Sequence, residues 1–132
     1  MKSDEFEKEV RELRYRQRRF FRCRRDDPDR PKALQLMRDQ EQLLRPYVEQ
    51  VMRIRPPRRR PESRREVFFL AVAEMLRQQL EWAKSGGGSW QLNPARDAEK
   101  SVDRFLAEFE EERKADKRRE TEAAMARQQR LF

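Results

Sequence analysis

The chain has 132 residues and no histidine, one cysteine (Cys23), and three glycines that all fall in one run, Gly86–Gly88. Without histidine the commonest general base is missing, together with Ser-His and Cys-His nucleophile pairs and nearly every zinc or non-haem iron site. A single cysteine cannot close an intramolecular disulfide, which fits a reducing, cytoplasmic setting. No apolar run approaches the roughly 18 residues of a membrane span. The opening MKSDEFEKEV also lacks the apolar stretch of a signal peptide. Gly86–Gly88 has no Lys-Ser/Thr behind it, so it is not a phosphate-binding loop. The expectation is a soluble, non-enzymatic protein with no catalytic residue, no metal, no cofactor and no membrane contact.

What the chain does have is charge. Charged residues make up 44% against 36% for AVILMFWYC, too few apolar side chains for a large core. This balance lies close to that of disordered chains, but eight Phe, two Trp and two Tyr are too many for a solvated tail. Helices that each bury one apolar stripe satisfy both facts.

Breakers divide the chain into four helical stretches. The first is expected from Ser3, a candidate N-cap, to Arg25, before Asp26-Asp27-Pro28-Asp29-Arg30-Pro31. The second starts at Pro31 and runs to Met52 or Ile54, with a kink or early end at Pro46. Arg55-Pro56-Pro57-Arg58-Arg59-Arg60-Pro61 is a basic, proline-stiffened linker. The third runs from Glu62 to Lys84, and the last starts with Asn93 as N-cap and Pro94 as first helical residue. Apolar residues keep heptad-like steps of four and three: Phe6, Val10, Leu13, Gln17, Phe20; then Ala33, Met37, Gln40, Leu44, Tyr47, Val51. Phe68, Val72, Met75, Gln79, Trp82 repeat the first set, and Ala95, Ala98, Val102, Phe105, Phe109 continue the pattern. Short turns between amphipathic helices imply antiparallel neighbours.

Sliding the sequence so that Phe6 falls on Phe68 also pairs Val10 with Val72, Gln17 with Gln79, Ala33 with Ala95 and Leu44 with Leu106, without a gap. The fold expected is therefore all-α: two antiparallel helical hairpins, related by duplication, forming a four-helix bundle or an extended helical pair. The divisions are 1–54, first and basic hairpin; 55–61, linker; 62–112, second hairpin with its glycine-rich turn at 85–89; and 113–132, a charged helical tail. Val72-Ala73-Glu74-Met75-Leu76-Arg77-Gln78-Gln79, Trp82 and Lys84, then Glu99-Lys100-Ser101-Val102-Asp103-Arg104-Phe105-Leu106, resemble small uncharacterised helical-hairpin proteins of gut bacteria and their mobile elements. The resemblance implies a two-helix hairpin and no chemistry. Within the first hairpin, counting from the turn near Pro28 sets Gln17 opposite Gln40. This is either a register-fixing amide pair or two residues at the wet edge of the seam.

Charge is unevenly placed. Residues 1–60 hold 19 Lys and Arg against 11 Asp and Glu, whereas residues 61–132 hold 14 of each. Arg14, Arg16, Arg18, Arg19, Arg22, Arg24 and Arg25 cluster around Tyr15, Phe20 and Phe21, and Arg58, Arg59 and Arg60 follow the linker prolines. Guanidinium groups suit bidentate phosphate contacts and stacking on bases. Arg14, Arg16, Arg18, Arg19, Arg22, Arg58, Arg59 and Arg60 are thus candidate nucleic-acid contacts, the alternative being a solvated face. The first reading is a helical interaction or assembly module with a protein partner or a second copy of itself. The second is a nucleic-acid-binding accessory protein.

Overall fold

The computed structural model describes residues 1–86 and 89–130, the side chains of 89–91 apart. They form four helices, α1 (Ser3–Arg22), α2 (Arg30–Ile54), α3 (Arg64–Lys84) and α4 (Ser89–Arg130), and no strand. Each helix packs on its sequence neighbour within a hairpin, and the hairpins meet through α2–α3 and α1–α4. The outcome is a bundle rather than an extended pair.

Helix boundaries follow local chemistry, and they correct the sequence reading at several points. Ser3 is the first helical residue and not the cap: Lys2 holds the cap position without a side-chain bond, and Asp4 and Glu5 complement the helix dipole instead. The helix ends at Arg22, because Cys23 turns extended and the chain enters a tight turn stitched by Asp29 N–H to Asp27 Oδ1 at 2.9 Å. α2 continues through Pro46 to Ile54. Proline there removes one backbone donor, and burial of Val48 beyond it holds the last turns in place. α3 starts at Arg64 behind Ser63, whose Oγ accepts from Glu66 N–H at 3.1 Å while the Glu66 carboxylate accepts from Glu62 N–H at 2.8 Å. This is a capping-box exchange displaced by one residue. α4 begins at Ser89, so Asn93 is not its cap and Pro94 lies inside it. Gly86 closes α3 in the left-handed region at φ 78°, which a side chain resists. Residues 87–88 of the expected glycine turn lie outside the described residues.

One core runs through all four helices: Phe6, Val10 and Leu13 of α1, Leu44 and Val48 of α2, Phe68, Val72, Met75 and Leu76 of α3, and Val102, Leu106 and Phe109 of α4. Each large side chain fully buried there contributes roughly 1.5–3 kcal/mol. At the linker end Phe6 packs on Tyr47, Phe68 and Phe69, and Phe68 packs edge-on to Phe109 at 5.2 Å between ring centroids.

The internal repeat takes physical form here. Phe6 meets Phe68, with ring centroids 5.8 Å apart, and Gln17 meets Gln79, 62 positions away. Counterparts that touch at two levels of the bundle place α1 and α3 parallel and diagonal, with a pseudo-two-fold axis running between them. Phe6, Tyr47, Phe68 and Phe109 mark the linker end of this axis, and Trp82 and the two hairpin turns mark the other.

Candidate functional site

The interior is not wholly apolar. Gln17 Nε2 donates to Gln79 Oε1 at 3.0 Å and Gln79 Nε2 returns a bond to Gln17 Oε1 at 3.2 Å. The expected partner, Gln40, is elsewhere: its Nε2 donates to the Glu9 carbonyl at 2.9 Å and the Glu9 carboxylate at 2.6 Å. The amide pair therefore joins the two hairpins across the pseudo-two-fold axis instead of closing one hairpin. Arg14 extends the network. Its Nη1 donates to Gln17 Oε1 at 2.7 Å and reaches Glu99 at 3.1 Å, while Nε lies 2.8 Å from Asp103. Burial pushes the Arg14 guanidinium down, and the bonds and charges of Asp103 and Glu99 more than reverse that, holding it firmly protonated.

A second cluster ties α1, α3 and α4 together at the linker end. Glu7 is 1% exposed. Its carboxylate accepts from Arg11 at 2.9 Å, from Arg65 at 2.7 Å and from Arg113. Burial pushes this carboxyl up, but the hydrogen bonds of Arg113, Arg11 and Arg65 outweigh it and hold it below the ordinary glutamate range. Arg11 also donates to the Leu106 carbonyl at 3.0 Å, so α1 grips the α4 backbone as well.

These contacts divide the candidate arginines. Arg14 is 5% exposed and belongs to the interior, so it is no external contact. Arg16 is engaged by Glu12 at 2.8 Å and the Leu36 carbonyl at 2.9 Å. Arg18 reaches Asp103 at 3.4 Å and is still half exposed. Arg19 and Arg22 make no ion pair among the described residues and flank Tyr15, itself 58% exposed. Arg59 pairs with Glu62 at 3.1 Å, while Arg58 and Arg60 stay exposed and unpaired among the described residues. The two groups are not brought together: they lie at opposite ends of α2, whose 25 residues span about 37 Å.

The longest unpaired feature is α4 itself. With 42 residues it is twice the length of α3. Arg64, in the first turn of α3, binds Glu108 and Glu112, so the bundle ends at that level. From Lys114 to Arg130 every residue except Ala115 is exposed. Among the described residues, no hydrogen bond or ion pair joins this stretch to another helix, and its pairs are local, such as Arg119 with Asp116 at 3.5 Å.

Glu7 and Glu99 escape sequence reasoning because a lone acid in a helix reads as surface. The signal available is phase: Glu7 stands where the repeat has Phe69, and Glu99 where it has Met37. Among the described residues no three acidic or thiol side chains converge as metal ligands, and no helix is long and apolar enough to cross a membrane. Compared with protein-family models, curated proteins and solved structures, the chain matches none.

Proposed function

We propose that the chain is a non-enzymatic, self-associating helical module: a rigid bundle that presents residues 114–130 of α4 to a second copy. The observation that carries this is the extension itself. Seventeen or so residues of solvated helix are marginal in isolation, and helices of that length ordinarily gain their stability by packing. A sequence with net positive charge and a small alanine-methionine segment, Ala123-Ala124-Met125-Ala126, keeps such an arm soluble until it pairs.

The test is light scattering coupled to size exclusion, with far-UV circular dichroism, on the full chain and on a chain ending at Arg113. The full chain is expected to associate with rising concentration and gain helicity, while the shortened chain stays monomeric with its melting transition nearly unchanged. A full chain that is monomeric at every concentration overturns the proposal.

Arg18, Arg19 and Arg22 around exposed Tyr15 support a second reading, contact with a nucleic-acid backbone. Binding to short duplexes across a salt series tests it. Each phosphate contacted contributes about 0.7–0.9 to the log–log slope, so Arg19→Gln with Arg22→Gln is expected to lower the slope by one to two. Arg14 and Arg16 are expected to play no part.

A further inference from the structure

The turn end of the bundle, opposite the α4 extension, contains a cavity of about 200 Å³. An apolar void of about 150 Å³ already admits a benzene-sized molecule, so this one takes a ring with a short polar substituent. Its floor is the reciprocal amide pair of Gln17 and Gln79, already satisfied. Its apolar walls are Phe21, Met37, Leu80 and Trp82, with Phe21 and Trp82 edge-on at 6.5 Å. Phe21 and Leu80 are 49% and 36% exposed, which sets the mouth between them.

Four charged groups line this space, and they differ in how they are satisfied. Glu99 is neutralised by Arg14 at 3.1 Å and Arg96 at 3.5 Å, and neither Glu99 nor Arg96 is left over. Among the described residues Glu41 accepts one side-chain hydrogen bond, from the Gln17 amide at 3.5 Å, at the limit for such a bond. Arg45 donates only to the Leu76 carbonyl, at 3.1 Å. Glu41 and Arg45 sit one turn apart on α2, the spacing at which acid and base ordinarily close an ion pair. Among the described residues neither forms an ion pair, with the other or with any third side chain. The cavity thus presents an open anion beside an open cation above an aromatic pocket. Trp82 adds an unmet donor: its Nε1–H is the one buried side-chain polar atom without a hydrogen-bond partner among the described residues.

We propose that this cavity binds a small zwitterion of the free amino-acid class with an apolar side chain. The ammonium meets Glu41, the carboxylate meets Arg45, and the side chain enters between Phe21, Met37 and Trp82. A lone amine leaves Arg45 unmet and a lone carboxylate leaves Glu41 unmet, so neither is as well matched. This site is independent of self-association through α4 and stands whether or not that occurs.

The experiment titrates the full chain with phenylalanine, phenethylamine and 3-phenylpropionate. It follows the Trp82 indole N–H resonance, identified by its absence in Trp82→Phe. Phenylalanine is expected to shift that resonance saturably, with each single-charge analogue weaker by about tenfold or more, the worth of one charge-assisted hydrogen bond. Glu41→Gln is expected to bring phenylalanine down to the level of 3-phenylpropionate, and Arg45→Gln to the level of phenethylamine. Both positions are at least partly solvent-exposed, and an unchanged dispersion of the remaining amide spectrum shows that the variants fold. No saturable shift up to the solubility of phenylalanine overturns the proposal, and so does equal binding by either analogue.

Discussion

Replacing Glu7 by glutamine probes the clasp that joins three helices. The exchange keeps shape and removes one charge that is almost wholly buried, 2% exposed at the side chain, and bound by three arginines. Breaking a buried pair typically costs about 3–5 kcal/mol, because an uncompensated charge stays behind. Here the charges left behind are Arg11, Arg65 and Arg113, whose side chains are 38%, 37% and 51% exposed, so water recovers part of that loss. The neutral amide is also easier to bury than the carboxylate. The net expectation is about 2 kcal/mol, a fall in Tm of roughly 6–10 °C for a chain of this size. Acid distinguishes this account from a packing defect. Glu7 titrates below its unfolded-state value of 4.5, so its contribution is complete above that pH and is lost as pH falls through the lower folded value. Calorimetry at neutral pH and at steps below pH 4.5 is therefore expected to show the gap between wild type and Glu7→Gln closing in acid. Glu12→Gln, at a half-exposed pair with Arg16, serves as the control and is expected to cost less than about 1 kcal/mol. A Glu7→Gln variant as stable as wild type at neutral pH, or a gap that does not change with pH, refutes the reasoning.

Three further outcomes are expected. Gln17→Leu alone leaves Gln79 unpaired and Arg14 short of one acceptor, and costs about 1–3 kcal/mol; Gln17→Leu with Gln79→Leu costs less than the two singles combined, read from a double-mutant cycle of chemical denaturation. Gly86→Ala costs about 1 kcal/mol by the same assay, from backbone strain at φ 78° alone, since nothing lies within 4 Å of the added methyl. Giving α1 and α4 the apolar counterparts of the repeat, Glu7→Phe, Arg14→Leu, Glu99→Met and Arg113→Val together, leaves stability equal or higher in calorimetry. The same variant is expected to show extra oligomeric species by size exclusion, because the ionic contacts no longer select one pairing of the hairpins.

What was legible in the chain was periodic. The steps of Phe6, Val10 and Leu13 and of Phe68, Val72 and Met75 marked the core faces, and all six are buried. Breakers at Pro28 and through Pro56–Pro61 placed two interhelical segments within a few residues. Ends were less legible, since one local rule competes with another: Ser63 and Glu66 form a cap in concert, whereas Ser3 and Asn93 do not cap although their types allow it. The polar partners were the least legible. The repeat paired Gln17 with Gln79 by equivalence, but contact between them also needs the two-fold axis, which no one-dimensional pattern contains. Counting outward from a turn finds partners within a hairpin, so it selected Gln40.

The same axis shows where the two halves have diverged. Under it, the seam between α1 and α4 corresponds to the seam between α3 and α2. Glu7, Arg14, Glu99 and Arg113 on the first stand where Phe69, Leu76, Met37 and Val51 stand on the second. One seam is ionic and the other apolar, with Phe69 against Tyr47 and Leu76 in the core. The apolar seam joins helices already tethered by residues 55–63, where the short linker restricts the choice of partner. The ionic seam joins the first helix to the last, which no neighbouring linker holds. Burial of charge contributes little net stability, but a mispaired hairpin would leave Glu7 or Arg14 buried without its partners. Charge is thus concentrated at the seam where the chain's connectivity does least to dictate the fold.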